Sequence, residues 1–338
     1  MTGMRQACVI LLGCLALCLC VVPMARAQNP QSFTIGTGGS AGTYFPIGAM
    51  IGNAISAPPG SRPCADGGAC GVPGLTATAI STNGSVANVE AISDGTLDSG
   101  FAQSDVVTWA ATGTGIFRGQ ARNENLRAIA NLYPESIHIV ATAESGIASL
   151  ADLAGKRISL DEPGSGTLVE ARIILGAAGL TEEMVIPSYL KAEQAAQQML
   201  MGRLDAFFFV GGYPSRAITD LAAVSEIVLV PIDDAALEVI LGAHEFFWPD
   251  MIPGGTYQGV ADDVPTISVA AQWVTSVDQS DALIYAITQA LWNDTTRNLL
   301  DNGHLKGRQI TLDTALDGIG IPLHPGAQKY YMDQGLLN

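Results

Sequence analysis

The stretch FTIGTGGSAGTYFPIG, at residues 33–48, indicates the fold class of this chain. A β-rich segment, Phe33–Thr37, leads into a turn of glycine and hydroxyl residues at 36–44, and a helical segment, Tyr44–Ala57, follows directly. Glycine lets a backbone approach a ligand closely, and the free N–H groups at the start of a helix attract anions. The stretch therefore predicts a strand, a ligand-facing turn and a helix.

The same arrangement recurs along the chain. Further turns of small and hydroxyl residues lie at Ser81–Ser85, Ala102–Asp105, Pro163–Thr167 and Gly211–Pro214. Strands such as Ala206–Val210 are apolar throughout, which is typical of a sheet with helices on both faces. Alternation of strands and helices predicts open α/β sheets, whose ligands bind outside the carboxyl ends of the strands. We therefore expect the five turns to form one binding site.

Two strand-like passages, Leu126–Thr142 and Thr266–Ser276, are long enough to connect two lobes. The chain would build most of the first lobe, cross to the second and return. The predicted fold class is thus α/β, with two open-sheet lobes joined by hinge strands. We place the first lobe at 28–134 plus 270–338 and the second lobe at 135–269.

The first turn also matches two enzyme motifs. Gly38–Gly42 reads G-x-S-x-G, the nucleophile elbow of serine hydrolases, with Ser40 as the nucleophile. An elbow follows several earlier strands, however, whereas this turn follows the first. Gly36, Gly38 and Ala41 match a dinucleotide fingerprint, but the next acidic residue is Asp66, too far along for the ribose partner. We therefore expect that the protein is not an enzyme and binds no cofactor. A secreted serine hydrolase that uses Ser40 is the alternative function.

Adjacent aspartates at Asp233–Asp234 and Asp262–Asp263 lack the ligand spacing of a calcium loop, so no metal site is expected. The chain carries 32 acidic and 16 basic residues, a formal charge of −16. Such a charge disfavours binding to nucleic acid.

The amino terminus has the features of a secretory signal peptide. Arg5 precedes an apolar run at residues 7–22, Pro23 ends that run, and Ala25–Ala27 form a small-x-small cleavage site. The run is shorter than the ~20 residues of a membrane span. We expect cleavage after Ala27 and export to the periplasm.

Only two cysteines, Cys64 and Cys70, lie beyond the predicted signal peptide, in a Pro/Gly-rich loop at 57–74. An exported chain meets an oxidising compartment, and two thiols without a neighbouring histidine make a poor metal site. We therefore predict a Cys64–Cys70 disulfide.

From about Phe33 to its C-terminus, the chain resembles the TAXI-type solute-binding subunits of TRAP transporters. The resemblance rests on an ordered series of segments: FTIGTGGSAGTYFPIG at 33–48, STNGSVANV at 81–89, GFAQSDV at 100–106, LRAIANLYPESIHIV at 126–140, SLADLAGKRISLDEPGSGT at 149–167, DAFFFVGGYP at 205–214, PGGTY at 253–257 and IPLHPGAQKYY at 321–331.

The resemblance implies a type II periplasmic-binding-protein fold that closes on a small organic anion, either an amino acid or a dicarboxylate such as glutamate or 2-oxoglutarate. It also implies an integral membrane TRAP permease as the partner of a monomeric receptor. A stand-alone sensory binding protein is a second alternative. Carried over by position, the ligand-binding residues are Gly39, Ser40, Thr43, Tyr44, Asn83, Ser85 and Gln103 from the first lobe and Ser165, Gly166, Thr167, Gly212 and Tyr213 from the second.

Overall fold

A computed structural model describes residues 30–337 as a mixed α/β protein. The predicted signal peptide lies outside these residues. The strands are β1 (Gln31–Gly36), β2 (Ser56–Ala57), β3 (Val72–Pro73), β4 (Leu75–Ile80), β5 (Ser99–Gln103), β6 (Leu126–Thr142), β7 (Arg157–Ser159), β8 (Ile186–Ser188), β9 (Ala206–Gly211), β10 (Ile227–Leu229), β11 (Trp248–Ile252) and β12 (Val264–Ser276). The helices are α1 (Tyr44–Ile55), α2 (Ser85–Ser93), α3 (Ser104–Thr112), α4 (Gly166–Ala177), α5 (Ala192–Leu200), α6 (Arg216–Ala222), α7 (Asp234–Ala243), α8 (Asp281–Leu291), α9 (Asp294–Gly303) and α10 (Pro325–Asp333).

Ten of these strands form one continuous sheet, in the order β4-β1-β5-β12-β6-β9-β7-β8, with β10 beside β6 and β11 beside β12. Parallel pairs lie at both ends, where β1 joins β4 and β5, and β7 joins β8 and β9. The long strands β6 and β12 pair antiparallel in the middle. The two strands therefore connect the parallel groups, and we refer to them as the hinge strands.

Apolar packing divides at the hinge strands. One buried cluster draws its residues from 33–133 and 271–331, and another draws them from 137–269. We refer to residues 30–134 with 270–337 as the first lobe and to 135–269 as the second lobe. Because each parallel group has its own core, we propose that the lobes move as two rigid bodies about β6 and β12.

Sequence patterns placed most elements within a few residues of their observed bounds, with informative exceptions. The predicted passage Leu126–Thr142 is one continuous strand, β6, which runs through Pro134. Its pairing with β12 contains two irregularities, which leave Ile129 and Leu132 without a directly opposite residue. Bulges of this kind cannot be seen in an alternation pattern.

Residues 281–303 form two helices, α8 and α9. Asn293 caps the second, since its side chain accepts a hydrogen bond from the Thr296 amide at 2.8 Å. The predicted Cys64–Cys70 disulfide is present, with the two Cα atoms 4.6 Å apart. Among residues 30–337, no helix has both the length and the apolar character of a membrane span.

Candidate functional site

A small cavity of about 60 Å³ lies between the two lobes. It lies where the parallel strands of both lobes end, since its walls follow β1 and β4 on one side and β7 and β9 on the other. This is the position that open α/β sheets use for ligands. We refer to it as the front cavity.

Nine of the twelve predicted ligand-binding residues line the front cavity. They are Gly39, Thr43, Tyr44, Asn83, Ser85, Gln103, Ser165, Gly166 and Thr167. Seven further residues line this cavity. Gly38, Gly42 and Gly84 belong to the predicted turns, whereas the sequence did not indicate Glu135, Asp161, Phe209 and Val210. The additions include the two ionisable carboxyl groups of the site.

The other three predicted residues do not line the cavity. Ser40 is exposed at the tip of its turn. The Gly212 carbonyl accepts a hydrogen bond from Thr43 Oγ1 at 2.5 Å. Gly212 therefore forms a contact between the lobes and does not line the cavity. The Tyr213 ring lies under the Lys306 ammonium group, 3.8 Å from its centroid. The turn after β9 thus contacts the first lobe, and the end of β9 itself faces the cavity.

Three helices, α1, α2 and α4, begin at the front cavity. The first N–H groups of a helix have no intrahelical acceptor and carry the positive end of the dipole. Ser165 caps α4, its Oγ accepting a hydrogen bond from the Leu168 amide at 3.0 Å. Gly84 precedes α2 with φ at 116°, a conformation that favours glycine. The cavity therefore offers several donors to an anionic group.

Direct hydrogen bonds between the lobes surround the cavity. Asn83 Nδ2 donates to the Pro163 carbonyl at 3.0 Å, and the Ala87 amide donates to the Gly164 carbonyl at 2.9 Å. Lys191 Nζ also donates to the Thr82 carbonyl at 3.1 Å. These contacts require the turns of both lobes to meet, so the structure describes a closed arrangement.

Glu135 is the most unusual group at the site. It lies on hinge strand β6, only 1% exposed, and its Oε2 accepts a hydrogen bond from the Tyr44 hydroxyl at 2.5 Å. Burial raises the pKa of Glu135 to about 8, although the Tyr44 hydrogen bond lowers it. A buried carboxyl group at this position has a high affinity for a proton or for a cation in its place.

Asp161 is the second carboxyl group in the cavity. Its backbone φ is 71°, the only positive φ of a residue other than glycine among residues 30–337. Strained backbone of this kind is often found at functional sites. Desolvation raises the pKa of Asp161 to about 7. No lysine or arginine lines the front cavity, within the part of the chain that the structure describes.

Two further buried carboxyl groups, Asp105 and Glu170, interact electrostatically with Glu135. Both are fully buried, and none of their carboxyl oxygens has a hydrogen-bond partner. Burial raises the pKa of Asp105 to about 7 and the pKa of Glu170 well above its usual value. Within residues 30–337, no group of three or more potential ligands is arranged to hold a metal ion.

These carboxyl groups predict the pH dependence of stability. A carboxyl group whose folded pKa is raised stabilises the fold at low pH, and this contribution is lost as pH rises through the folded pKa. We therefore expect the protein without ligand to unfold at a lower temperature at pH 8 than at pH 6.5. The loss should be on the order of 2 kcal/mol, since one pKa unit is worth about 1.4 kcal/mol. Differential scanning calorimetry across this range measures it.

Two other buried groups act outside this pH window. Burial lowers the pKa of His138 to about 4, and this affects stability only below about pH 6.5. Burial also lowers the pKa of Lys306 to about 8, and this opposes the carboxyl effect only above that pH. Glu170→Gln should flatten the profile, whereas Glu238→Gln at an exposed position should not. A wild-type melting temperature that rises from pH 6.5 to 8 would contradict the prediction.

Comparison with solved structures identifies proteins of similar architecture. A protein from Bordetella bronchiseptica RB50 is 17% identical, with 89% of this chain and 82% of that chain covered at a TM-score of 0.51. The methylphosphonate complex of PhnD1 from Prochlorococcus marinus MIT 9301 is 12% identical, with 81% and 90% covered at a TM-score of 0.49. The alkanesulfonate-binding protein SsuA from Xanthomonas axonopodis pv. citri, bound to MOPS, is 15% identical, with 90% and 84% covered at 0.44.

At these identities the likeness concerns the fold alone. The expected fold class, two α/β lobes joined by hinge strands in the manner of a type II periplasmic binding protein, is confirmed. A family model described as NMT1-like matches residues 35–335, which is nearly all of the chain that the structure describes. This protein therefore belongs to the NMT1-like family.

Proposed function

We propose that this protein is an extracytoplasmic solute-binding receptor whose lobes close on a small amino acid. The family consists of substrate-binding proteins of transporters, and its members are not enzymes. The observation that carries the choice of ligand is that one cavity combines two carboxyl groups, the buried Glu135 and the half-buried Asp161, with the N-termini of three helices. An amino acid carries an ammonium group, which can pair with a carboxyl group, and a carboxylate, which can bind at the helix N-termini.

The two charges of an amino acid fit different walls. Its carboxylate suits the amide groups that begin α1, α2 and α4, where the helix dipoles favour negative charge. Its ammonium group suits Glu135, which the Tyr44 hydroxyl holds in place. A buried charge is stable only when it is paired, so an ammonium group beside Glu135 would stabilise both charges, in addition to the electrostatic effect of the buried Lys306 on Glu135.

A dicarboxylate fits this cavity less well. The sequence resemblance leaves amino acids and dicarboxylates as alternatives, but a second carboxylate would lie among acidic groups without a lysine or arginine on the walls. Size gives a further restriction. The front cavity, of about 60 Å³, is far smaller than the roughly 300–1,000 Å³ of pockets for drug-sized ligands, which favours a small ligand such as glycine or alanine.

The transporter partner is inferred from the sequence resemblance. The segments at 33–48, 81–89 and 149–167 resemble TAXI-type receptors, and their turns meet at the front cavity. We propose that the closed form delivers its ligand to a TRAP permease after export to the periplasm. Co-purification with the membrane subunit encoded beside its gene would test this partner. Failure to bind that subunit in the presence of ligand would favour the stand-alone sensor.

The hydrolase alternative finds little support at Ser40. This serine is exposed, and each of the four histidines forms contacts elsewhere within residues 30–337: His138 with Tyr257, His304 with Pro214, His324 with Gln279, and His244 with the rings of Trp109 and Phe247. A serine nucleophile needs a base within hydrogen-bond reach. Absence of labelling of Ser40 by a fluorophosphonate probe would exclude this alternative.

A ligand screen tests the proposed function directly. We expect glycine, alanine or another small amino acid to raise the melting temperature in a concentration-dependent way, and succinate and 2-oxoglutarate to have little effect. The screen is a thermal-shift assay of the protein refolded after removal of any co-purified ligand. Stabilisation by dicarboxylates alone would overturn the choice of ligand but leave the receptor function in place.

Removal of the Tyr44 hydroxyl should weaken binding without unfolding the protein. In Tyr44→Phe, Glu135 loses its donor, and we expect affinity for the amino acid to fall about tenfold, since a hydrogen bond to a charged group is worth about 1.5–3 kcal/mol. Isothermal titration calorimetry measures it. Tyr285→Phe is the matched control, because its hydroxyl donates to Asp333 on the surface. Equal affinities in the two variants would remove Tyr44 from the site.

A further inference from the structure

A second and larger cavity, of about 820 Å³, lies at the hinge. Its walls come from the first lobe at 309–320, from the hinge strands at 131–134 and Ala270, and from the second lobe at 245–248. It shares no lining residue with the front cavity. Its volume is within the range of small-molecule binding sites, about 300–1,000 Å³. We refer to it as the rear cavity.

The two cavities are lined by different residues of hinge strand β6. Glu135 lines the front cavity, whereas residues 131–134 line the rear cavity. The rear cavity also adjoins a gap in the sheet, because β11 pairs with β12 as far as Ser268 and β5 begins pairing at Ala271. A molecule in the rear cavity thus contacts both lobes without entering the front cavity.

The lining of the rear cavity combines apolar walls with acceptors. Leu132, Pro134, Phe246, Trp248 and Ile319 supply apolar and aromatic surface, and the Trp248 side chain is 38% exposed. Large aromatic side chains left open to solvent in a concave site are typical of ligand pockets. These walls favour a flat apolar molecule.

The charged groups of the rear cavity favour a positively charged ligand. Asn131 is 8% exposed and lines the cavity. Its Nδ2 donates to the Thr314 carbonyl at 3.1 Å, and its Oδ1 is buried away from the open space of the cavity. Two carboxylates, Glu245 and Asp317, lie on the same walls, and no lysine or arginine does within the described residues. Two carboxylates on walls that carry no lysine or arginine favour a ligand with a positive charge and N–H donors.

We propose that the rear cavity is a second binding site, and that it takes an aromatic amine: the ring packs against Trp248 and Phe246, and the ammonium group faces Glu245 and Asp317. A cation near aromatic faces gains further attraction from the ring electrons. This site is independent of the ligand proposed for the front cavity.

Tryptamine is a suitable probe, with indole-3-propionate as its anionic counterpart of similar shape. We expect tryptamine to bind wild-type protein in isothermal titration calorimetry, and indole-3-propionate to bind at least tenfold more weakly. Trp248→Ala and Glu245→Lys should each weaken tryptamine binding about tenfold, through the lost ring contact and the reversed charge. Both residues are exposed, so both variants should fold.

Two control variants distinguish tryptamine in the rear cavity from tryptamine bound elsewhere on the protein. Met201→Ala, at a 60% exposed position that lines neither cavity, should leave tryptamine affinity unchanged. Glu135→Gln should also leave it unchanged, because Glu135 lines the front cavity. Three results would overturn the proposal. Tryptamine could fail to bind, or it could bind no better than indole-3-propionate. Its affinity could also fall in Glu135→Gln but not in Trp248→Ala.

Discussion

Replacement of Glu135 by glutamine should weaken binding of the amino-acid ligand about 100-fold. The variant keeps the size of the side chain and an acceptor for the Tyr44 hydroxyl, but it removes the negative charge that the ammonium group needs in a buried site. Loss of one partner of a buried charged pair costs about 2–5 kcal/mol, and each 1.4 kcal/mol is a factor of ten in affinity. Isothermal titration calorimetry at pH 8 measures the change.

The pH dependence of binding gives the same experiment a second readout. Burial raises the pKa of Glu135 to about 8, so a cation must displace its proton at neutral pH. Wild-type affinity should therefore increase as pH rises from 6 to 8, with proton release on binding. In Glu135→Gln the affinity should depend less on pH between 6 and 8, because glutamine has no proton to release on binding.

Glu170→Gln is the matched control for this substitution. Glu170 is also fully buried and its pKa is also raised, but it does not line the front cavity. Its substitution should change stability more than affinity. Similar losses of affinity in Glu135→Gln and Glu170→Gln would show that a general change in buried charge, and not contact with the ligand, is responsible.

Substitution of Gly166 by alanine should prevent full closure of the lobes. A Cβ atom at this position would lie 1.5 Å from Gln103 Oε1 and 2.9 Å from Ser85 Oγ, both in the opposite lobe. Gln103 is only 2% exposed, and the space left for its side chain is the front cavity itself. Overpacking of this kind costs about 1–3 kcal/mol, so we expect affinity for the amino acid to fall about 10- to 100-fold.

The same helix supplies a control for this substitution. Gly176 lies near the end of α4, and a Cβ atom there would have no neighbour within 4 Å. Gly176→Ala should therefore leave the affinity for the amino acid unchanged. In small-angle X-ray scattering with ligand, Gly176→Ala should be compact and Gly166→Ala should be more open. Full closure of Gly166→Ala would mean that Gln103 can move away without affecting the site.

The sequence was sufficient for the features that depend on neighbouring residues. Helix α1 begins at its predicted start, Tyr44, and α2 and α4 begin at the predicted turns Ser81–Ser85 and Pro163–Thr167, because glycine, serine and threonine mark the end of a strand and the start of a helix locally. The alternation of strands and helices gave the α/β class for the same reason. Nine predicted turn residues meet at one cavity because the carboxyl ends of parallel strands share an edge.

Glu135 shows what the sequence could not indicate. It lies beside Pro134 in the predicted passage Leu126–Thr142, outside all five turns that indicated the binding site. Two bulges in the pairing of β6 with β12 determine which residues of β6 face the cavity, and they depend on the partner strand more than 130 residues later in the chain. The burial that raises its pKa comes from the meeting of both lobes, so the charge of the site is a tertiary property.

The sequence by itself thus determined the two-lobed α/β plan, the disulfide and most of the turns that form the cavity walls. The tertiary structure alone decided that Ser40, Gly212 and Tyr213 lie outside the cavity, and that Glu135 and Asp161 lie inside it. The reason is physical: helix starts and strand periodicity are set within a few residues, whereas cavity walls and buried charges depend on contacts between segments far apart in the chain.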